Sequence, residues 1–221
     1  IDFIATAASE TRIYIDALQR FQPDVVYDLH ETGRVKYPLT YKEGYLTTVN
    51  AQFEVGDNPN IDAGLRNYAD HSFLPALLQS VKEVGIPATR YDGEIITLSQ
   101  VVTRGAMNLS NFRNYASLMG SLTVVAESLL DEPGQYATPG NIKERVKRQH
   151  LALVQFVSLV ADDAQQIRQL SRQARHSWRS KTDLQVALEF GFEPNPKKPE
   201  IKVALTEQKS GKRVMKTFPH N

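Results

Sequence analysis

The stretch Pro23–Gly33, PDVVYDLHETG, runs an apolar segment straight into Asp28, Leu29 and His30 before it reaches a glycine. Val25, Val26 and Tyr27 are β-branched and aromatic residues of the kind that fill a buried strand, and Gln22 with Pro23 closes the helix before it. His30 is therefore expected at a strand's carboxyl end. An unpaired imidazole is costly to bury, so a histidine in that position calls for a partner. A second stretch repeats the pattern: Leu122–Ala126, LTVVA, is an unbroken apolar run closed by Glu127. Two buried strands that each end in an ionisable residue set the frame for the rest of the chain.

Around them the apolar spacing alternates between helix and strand. Ile13, Ala17, Leu18 and Phe21 predict a surface helix over Ala8–Phe21, with Ser9 as its N-cap. Leu65, Tyr68, Leu77, Leu78, Val81 and Val84 predict a helix over Ile61–Val84, kinked or broken at Pro75 and stopped by Gly85. A strand follows near Ala88–Tyr91, then a short helix over Phe112–Met119 ended by Gly120. Pro139 opens the longest helical pattern, marked by Ile142, Val146, Leu153, Val154, Val157, Ala161, Ala164, Ile167 and Ala174, with Asp162 and Asp163 as an interruption. Glu31–Asn60 and Tyr91–Asn111 mix Gly, Asn and Asp with short extended runs and are expected as long excursions that build a pocket.

The tail reads differently. Leu184–Phe192 alternates like a strand, EPNPKKPE is a linker, and Ile201–Leu205 and Arg213–Phe218 pair as a hairpin across KSGK. The whole pattern predicts an α/β fold over residues 1–180, layered helix/sheet/helix around a mixed, mostly parallel sheet, with a β-rich appendage over 181–221. In such sheets functional groups gather at the strand carboxyl ends.

Composition narrows the chemistry. Twenty-six basic against twenty-five acidic residues leave a formal charge of +1 over 221 residues, which argues against nucleic acid or an anionic membrane as partner. The run KERVKRQ (143–149) lacks an aromatic platform and reads as a solvated helix face. With no cysteine, thiolate ligation, disulfides and a cysteine nucleophile are excluded. Any metal has to use histidine and carboxylate. A neutral imidazole at a strand end is a well-aimed zinc ligand, and Asp28, two residues earlier, is placed to orient it. Glu127 at the mouth of an apolar strand has a partly desolvated carboxylate, suited to a general base near neutral pH. The plainer alternative is a strand-end glutamate that meets solvent or an arginine.

Together DFIATAASETR leading into PDVVYDLHETG, NFRNYASLMGSLTVVAESL and the long helix after it resemble the zinc carboxypeptidase family, including its bacterial relatives, over Ile1 to about Trp178. The resemblance implies that His30 is the third zinc ligand and Glu127 the general base. It also sets Arg113 and Tyr115 facing a peptide substrate, the one clamping a terminal carboxylate and the other hydrogen-bonding its backbone. Their structural alternative is a capping or ion-paired arginine and a core tyrosine.

The family's first two ligands come from an upstream His-x-x-Glu motif. None of the five histidines fits it: the residues three places on are Gly33, Leu74, Leu153 and Arg179, and His220 runs off the end. The resemblance thus implies a C-terminal portion of a catalytic domain, with zinc bound in the complete protein and not by this chain alone. It also favours a periplasmic or secreted protein. A non-catalytic peptide-binding domain and a small-molecule amide deacylase of related type are the competing functions.

Overall fold

The computed structural model describes residues 3–32, 43–91, 95, 97–103, 106–130, 139–180, 185–194 and 196–220. Its core is a mixed four-stranded sheet of β1 (Val25–Thr32), β3 (Ala51–Val55), β4 (Ala88–Arg90) and β5 (Leu122–Leu129), in the order β1-β5-β3-β4. β1 runs parallel to β5 and β3 parallel to β4, while β3 and β5 are antiparallel. The molecule is thus mixed α/β with a mostly parallel core sheet.

The register sorts the strands into two faces, because alternate residues of a strand point to opposite sides. One face carries Val25, Tyr27, Leu122, Val124, Ala126, Ala51, Phe53 and Val55. These pack in the main hydrophobic core with Phe73, Leu77 and Val81 and with Ala152 and Phe156. The helices that supply those residues are α2 (Ala63–Tyr68), continued through a π-helical turn at Ala69–Phe73 into α3 (Leu74–Glu83), and the long α5 (Ile142–Asp162). Tyr27 and Phe156 anchor α5 to β1, their rings 4.6 Å apart. The remaining helices are α1 (Ser9–Phe21), α4 (Phe112–Leu118) and α6 (Ala164–Ser180). Among the described residues no helix is long and apolar enough to cross a membrane.

Several expectations need correction. The segment expected as an excursion, Glu31–Asn60, contributes β3, an interior strand of the sheet, and the short β2 (Tyr45–Thr47). β5 is buried as expected, but among the described residues β1 is an edge strand, and apart from the buried Thr32 it runs from half-buried to exposed. Ser9 does not cap α1: the N-cap is Ala8, which has no side-chain hydrogen bond to give, and Ser9 bonds the Glu10 carboxylate instead. Pro75 does not break its helix. The lost donor falls at the first turn of α3, where the π-helical turn delivers the chain. On α5 the buried stripe is Arg148, Ala152 and Phe156, whereas Ile142, Val146, Val154 and Val157 face solvent. The interruption at Asp162 and Asp163 is real, and the Tyr68 hydroxyl holds the Asp163 carboxylate there at 2.5 Å.

The tail forms its hairpin, β6 (Glu200–Glu207) with β7 (Arg213–Pro219), and β2 joins β6 to complete a separate three-stranded sheet. Its small core contains Ile95, Val102, Leu205 and Phe218. The described part of Leu184–Phe192 is not a strand. Ala187 spends its backbone on Asn60, whose side chain both accepts from its N–H and donates to its carbonyl, so no ladder forms there.

Candidate functional site

The sheet face opposite the main core has a different composition. In register order it presents Asp28, Val125 and Glu54 in one row, then His30, Glu127 and Gln52 in the next. His30 and Glu127 are direct partners on parallel neighbours, about 4.8 Å apart between strands, so their side chains leave the same face side by side. Gln52 flanks Glu127 from the other side.

Asp28 reaches His30 along β1: its Oδ1 lies 3.0 Å from the imidazole Nε2. This is the local geometry a two-residue step on one strand face produces, and it fixes the ring's orientation from one nitrogen. The imidazole is half exposed and the aspartate largely covered, with side-chain exposures of 50% and 20%. Glu127 is partly buried, its Oε2 shut away from solvent. An oriented imidazole beside a carboxylate can bind a cation or exchange a proton.

Glu54 is the acid that sequence reading missed. It is fully buried and held by Arg90, Nε to Oε2 at 2.8 Å and Nη2 to Oε1 at 2.7 Å, with Asp70 of the π-helical turn paired to the same guanidinium. Burial works against the Arg90 charge, but the two carboxylates outweigh it and hold its pKa above the ordinary value. Gln52 was missed with it. The period-two pattern of AQFEV, Ala51, Phe53 and Val55 in and Gln52 and Glu54 out, was the signal available for both.

Arg113 stands elsewhere. It is 2% exposed; its Nε donates to the Val55 carbonyl at 3.0 Å and its Nη2 to the Ala106 carbonyl at 3.0 Å, with Asp57 paired at 3.3 Å. Val55 is in register with Val124, three residues before Glu127, so this anchor lies roughly 10 Å back along the strand from the His30 row. Tyr115, on the same helix, is half-buried with its ring 5.5 Å from Phe3. The structure thus brings His30, Glu127 and Asp28 together and sets Arg113 and Tyr115 apart from them.

Among the described residues no group of three His, Cys, Asp or Glu side chains is placed to hold a metal ion. Fold and site together define a mixed α/β domain with a polar row two residues before the ends of two parallel strands. No known protein family, curated protein or solved structure gives a significant match to the chain.

Proposed function

We propose that this chain is the C-terminal part of the catalytic domain of a zinc-dependent metallocarboxypeptidase, built as a helix/sheet/helix sandwich of the zinc carboxypeptidase kind and acting on peptides. The observation that carries the reading is the register pair His30 and Glu127 on parallel strands, with Asp28 3.0 Å from the imidazole Nε2. A ligand and a base must face one substrate, and neighbouring positions on one sheet face meet that requirement.

The donors present fit one ligand of a zinc site and do not complete it, since a catalytic zinc takes three protein ligands. His30 would hold the metal through its imidazole, with Asp28 setting the ring's orientation. When bound, zinc supplies polarisation of the scissile carbonyl and a more acidic attacking water. Glu127 would accept a proton from the attacking water on a carboxylate oxygen and return it to the leaving amine. Arg113 could clamp a terminal carboxylate only by leaving Asp57, so the catalytic proposal does not rest on it.

The test uses the protein with its upstream segment. Glu127→Gln should cut peptide hydrolysis by about 10²–10⁴-fold with zinc content and folding retained, because the amide keeps size and hydrogen bonding but accepts no proton. His30→Ala should instead lose the metal. Near-normal turnover in Glu127→Gln would return Glu127 to a structural role. An upstream sequence without His-x-x-Glu would favour a peptide-binding domain of the same fold.

A further inference from the structure

The run KERVKRQ, expected as a solvated face, divides in two. Asn141, Arg145, Arg148 and Gln149 stand at i, i+4, i+7 and i+8, one side of a helix. All four reach the ends of β1 and β5. Asn141 Nδ2 donates to the Leu130 carbonyl at 2.7 Å and Arg148 Nη1 to the Leu129 carbonyl at 3.0 Å. Gln149 Nε2 donates to the His30 carbonyl at 2.7 Å, and the Arg145 guanidinium spans the Glu31 carboxylate at 2.8 Å on both oxygens.

The recipients are consecutive on each strand: His30 and Glu31 on β1, Leu129 and Leu130 at the end of β5. Those positions begin at the His30–Glu127 row and run on to its carboxyl side. The ladder turns the carbonyls of Asp24 and Thr32 toward β5, and by the two-residue step that of His30 with them. Gln149 adds a second hold on the His30 peptide, from a helix that is itself fixed by Phe156 in the main core.

We infer that the first two turns of α5 are a clamp that sets His30 and Glu127 relative to each other, with Gln149 and Arg148 as positioning residues for the hydrolytic site; this rests on the role proposed above for those two residues. The arrangement holds main chain on both strands at once from the carboxyl side of the row, and so adds to the ladder that already pairs ligand and base. Misplacement of about 1 Å at such a site costs on the order of 10²-fold in rate.

Two variants of one residue test it. Gln149→Glu keeps the shape and loses the donor, while Gln149→Lys keeps a donor on a chain of similar length. In this chain, Gln149→Glu should speed amide hydrogen exchange at His30–Thr32 about tenfold, the worth of one net hydrogen bond. It should also move or broaden the His30 imidazole carbon resonance and leave those of His71, His150, His176 and His220 in place. Gln149→Lys should restore both signals. Equal effects of the two variants, an unchanged His30 resonance, or faster exchange spread evenly over the sheet would overturn the clamp. In the protein with its upstream segment, Gln149→Glu should lower kcat at least about tenfold with KM within about twofold, and Gln149→Lys should recover it. The exchange and resonance measurements need neither metal nor turnover. The clamp can therefore fail while Glu127→Gln still abolishes hydrolysis, and the hydrolase reading can fail while the clamp signals persist.

Discussion

The Asp57 carboxyl is disturbed, and the cause is local. Burial raises its pKa, the Arg113 guanidinium pulls it back, and Glu54 raises it again, for a value of about 6. A carboxyl raised above its unfolded value of about 3.9 holds a proton in the folded state that the unfolded chain has already released. Its stabilising contribution is thus fully present below about pH 3.9 and is lost as the pH rises through about 6. The span corresponds to roughly 3 kcal/mol at most. Asp57→Asn should flatten that part of the profile, since the amide does not titrate and Arg113 keeps the Val55 and Ala106 carbonyls. Denaturant unfolding of both proteins between pH 4 and 7 measures the difference, and parallel profiles would assign the slope to other groups. At this scale the step from Asp28 to His30 was legible because a two-residue step along a strand is a local property, while the strand ends expected at His30 and Glu127 fall two residues later, at Thr32 and Leu129. The partner of Arg113 was not legible, because Asp57 lies 56 residues away in the chain and nothing in NFRNY names it.

Elements were legible where their boundaries are chemical. Gly120 ends α4 with a φ of +89° and lets the chain turn directly into β5. A Cβ there would stand 2.6 Å from Arg175 Cγ and 3.2 Å from the Ser171 carbonyl oxygen, against α6. Gly120→Ala therefore meets a left-handed backbone penalty and a close approach together, and should cost roughly 2–4 kcal/mol in equilibrium unfolding. A loss under about 1 kcal/mol would mean that Arg175 swings aside, giving up its bond to Asp24 at 3.0 Å. β3 was hidden for the opposite reason: five residues of strand lie in a stretch whose Gly, Asn and Pro content matches an excursion, and composition outweighed the alternation of AQFEV. The stripe on α5 misled in a related way. Ile142, Val146 and Val157 have the right period, but the docked side begins with Asn141, Arg145, Arg148 and Gln149, which are buried or half-buried by hydrogen bonds to strand ends and not by apolarity. A hydrophobic period cannot reveal a polar docking face.

At the scale of the whole molecule, the described residues form two apolar cores with polar links between them. The larger unites the four-stranded sheet with its helices, and the smaller closes the three-stranded sheet around Phe218. Among the described residues the Thr48 hydroxyl bonds the Ala204 carbonyl at 3.0 Å, Asn60 pairs reciprocally with Ala187 in the segment ahead of β6, and three residues separate β2 from β3. Links of that kind contribute about 1 kcal/mol each, less than either core. The smaller sheet should accordingly open while the larger one stays folded. Phe218 has no exposed surface, so Phe218→Ala should cost about 3–5 kcal/mol locally. Amides of β2, β6 and β7 would then lose most of their protection against hydrogen exchange, and those of β3 and β5 would keep theirs. Phe53→Ala, an equally buried ring in the larger core, should weaken protection in both sheets, because the smaller one is linked to the body that this core holds together. A uniform loss in Phe218→Ala would show instead that the two cores unfold as one unit. The links through Thr48 and Asn60 would then be worth more than their number suggests.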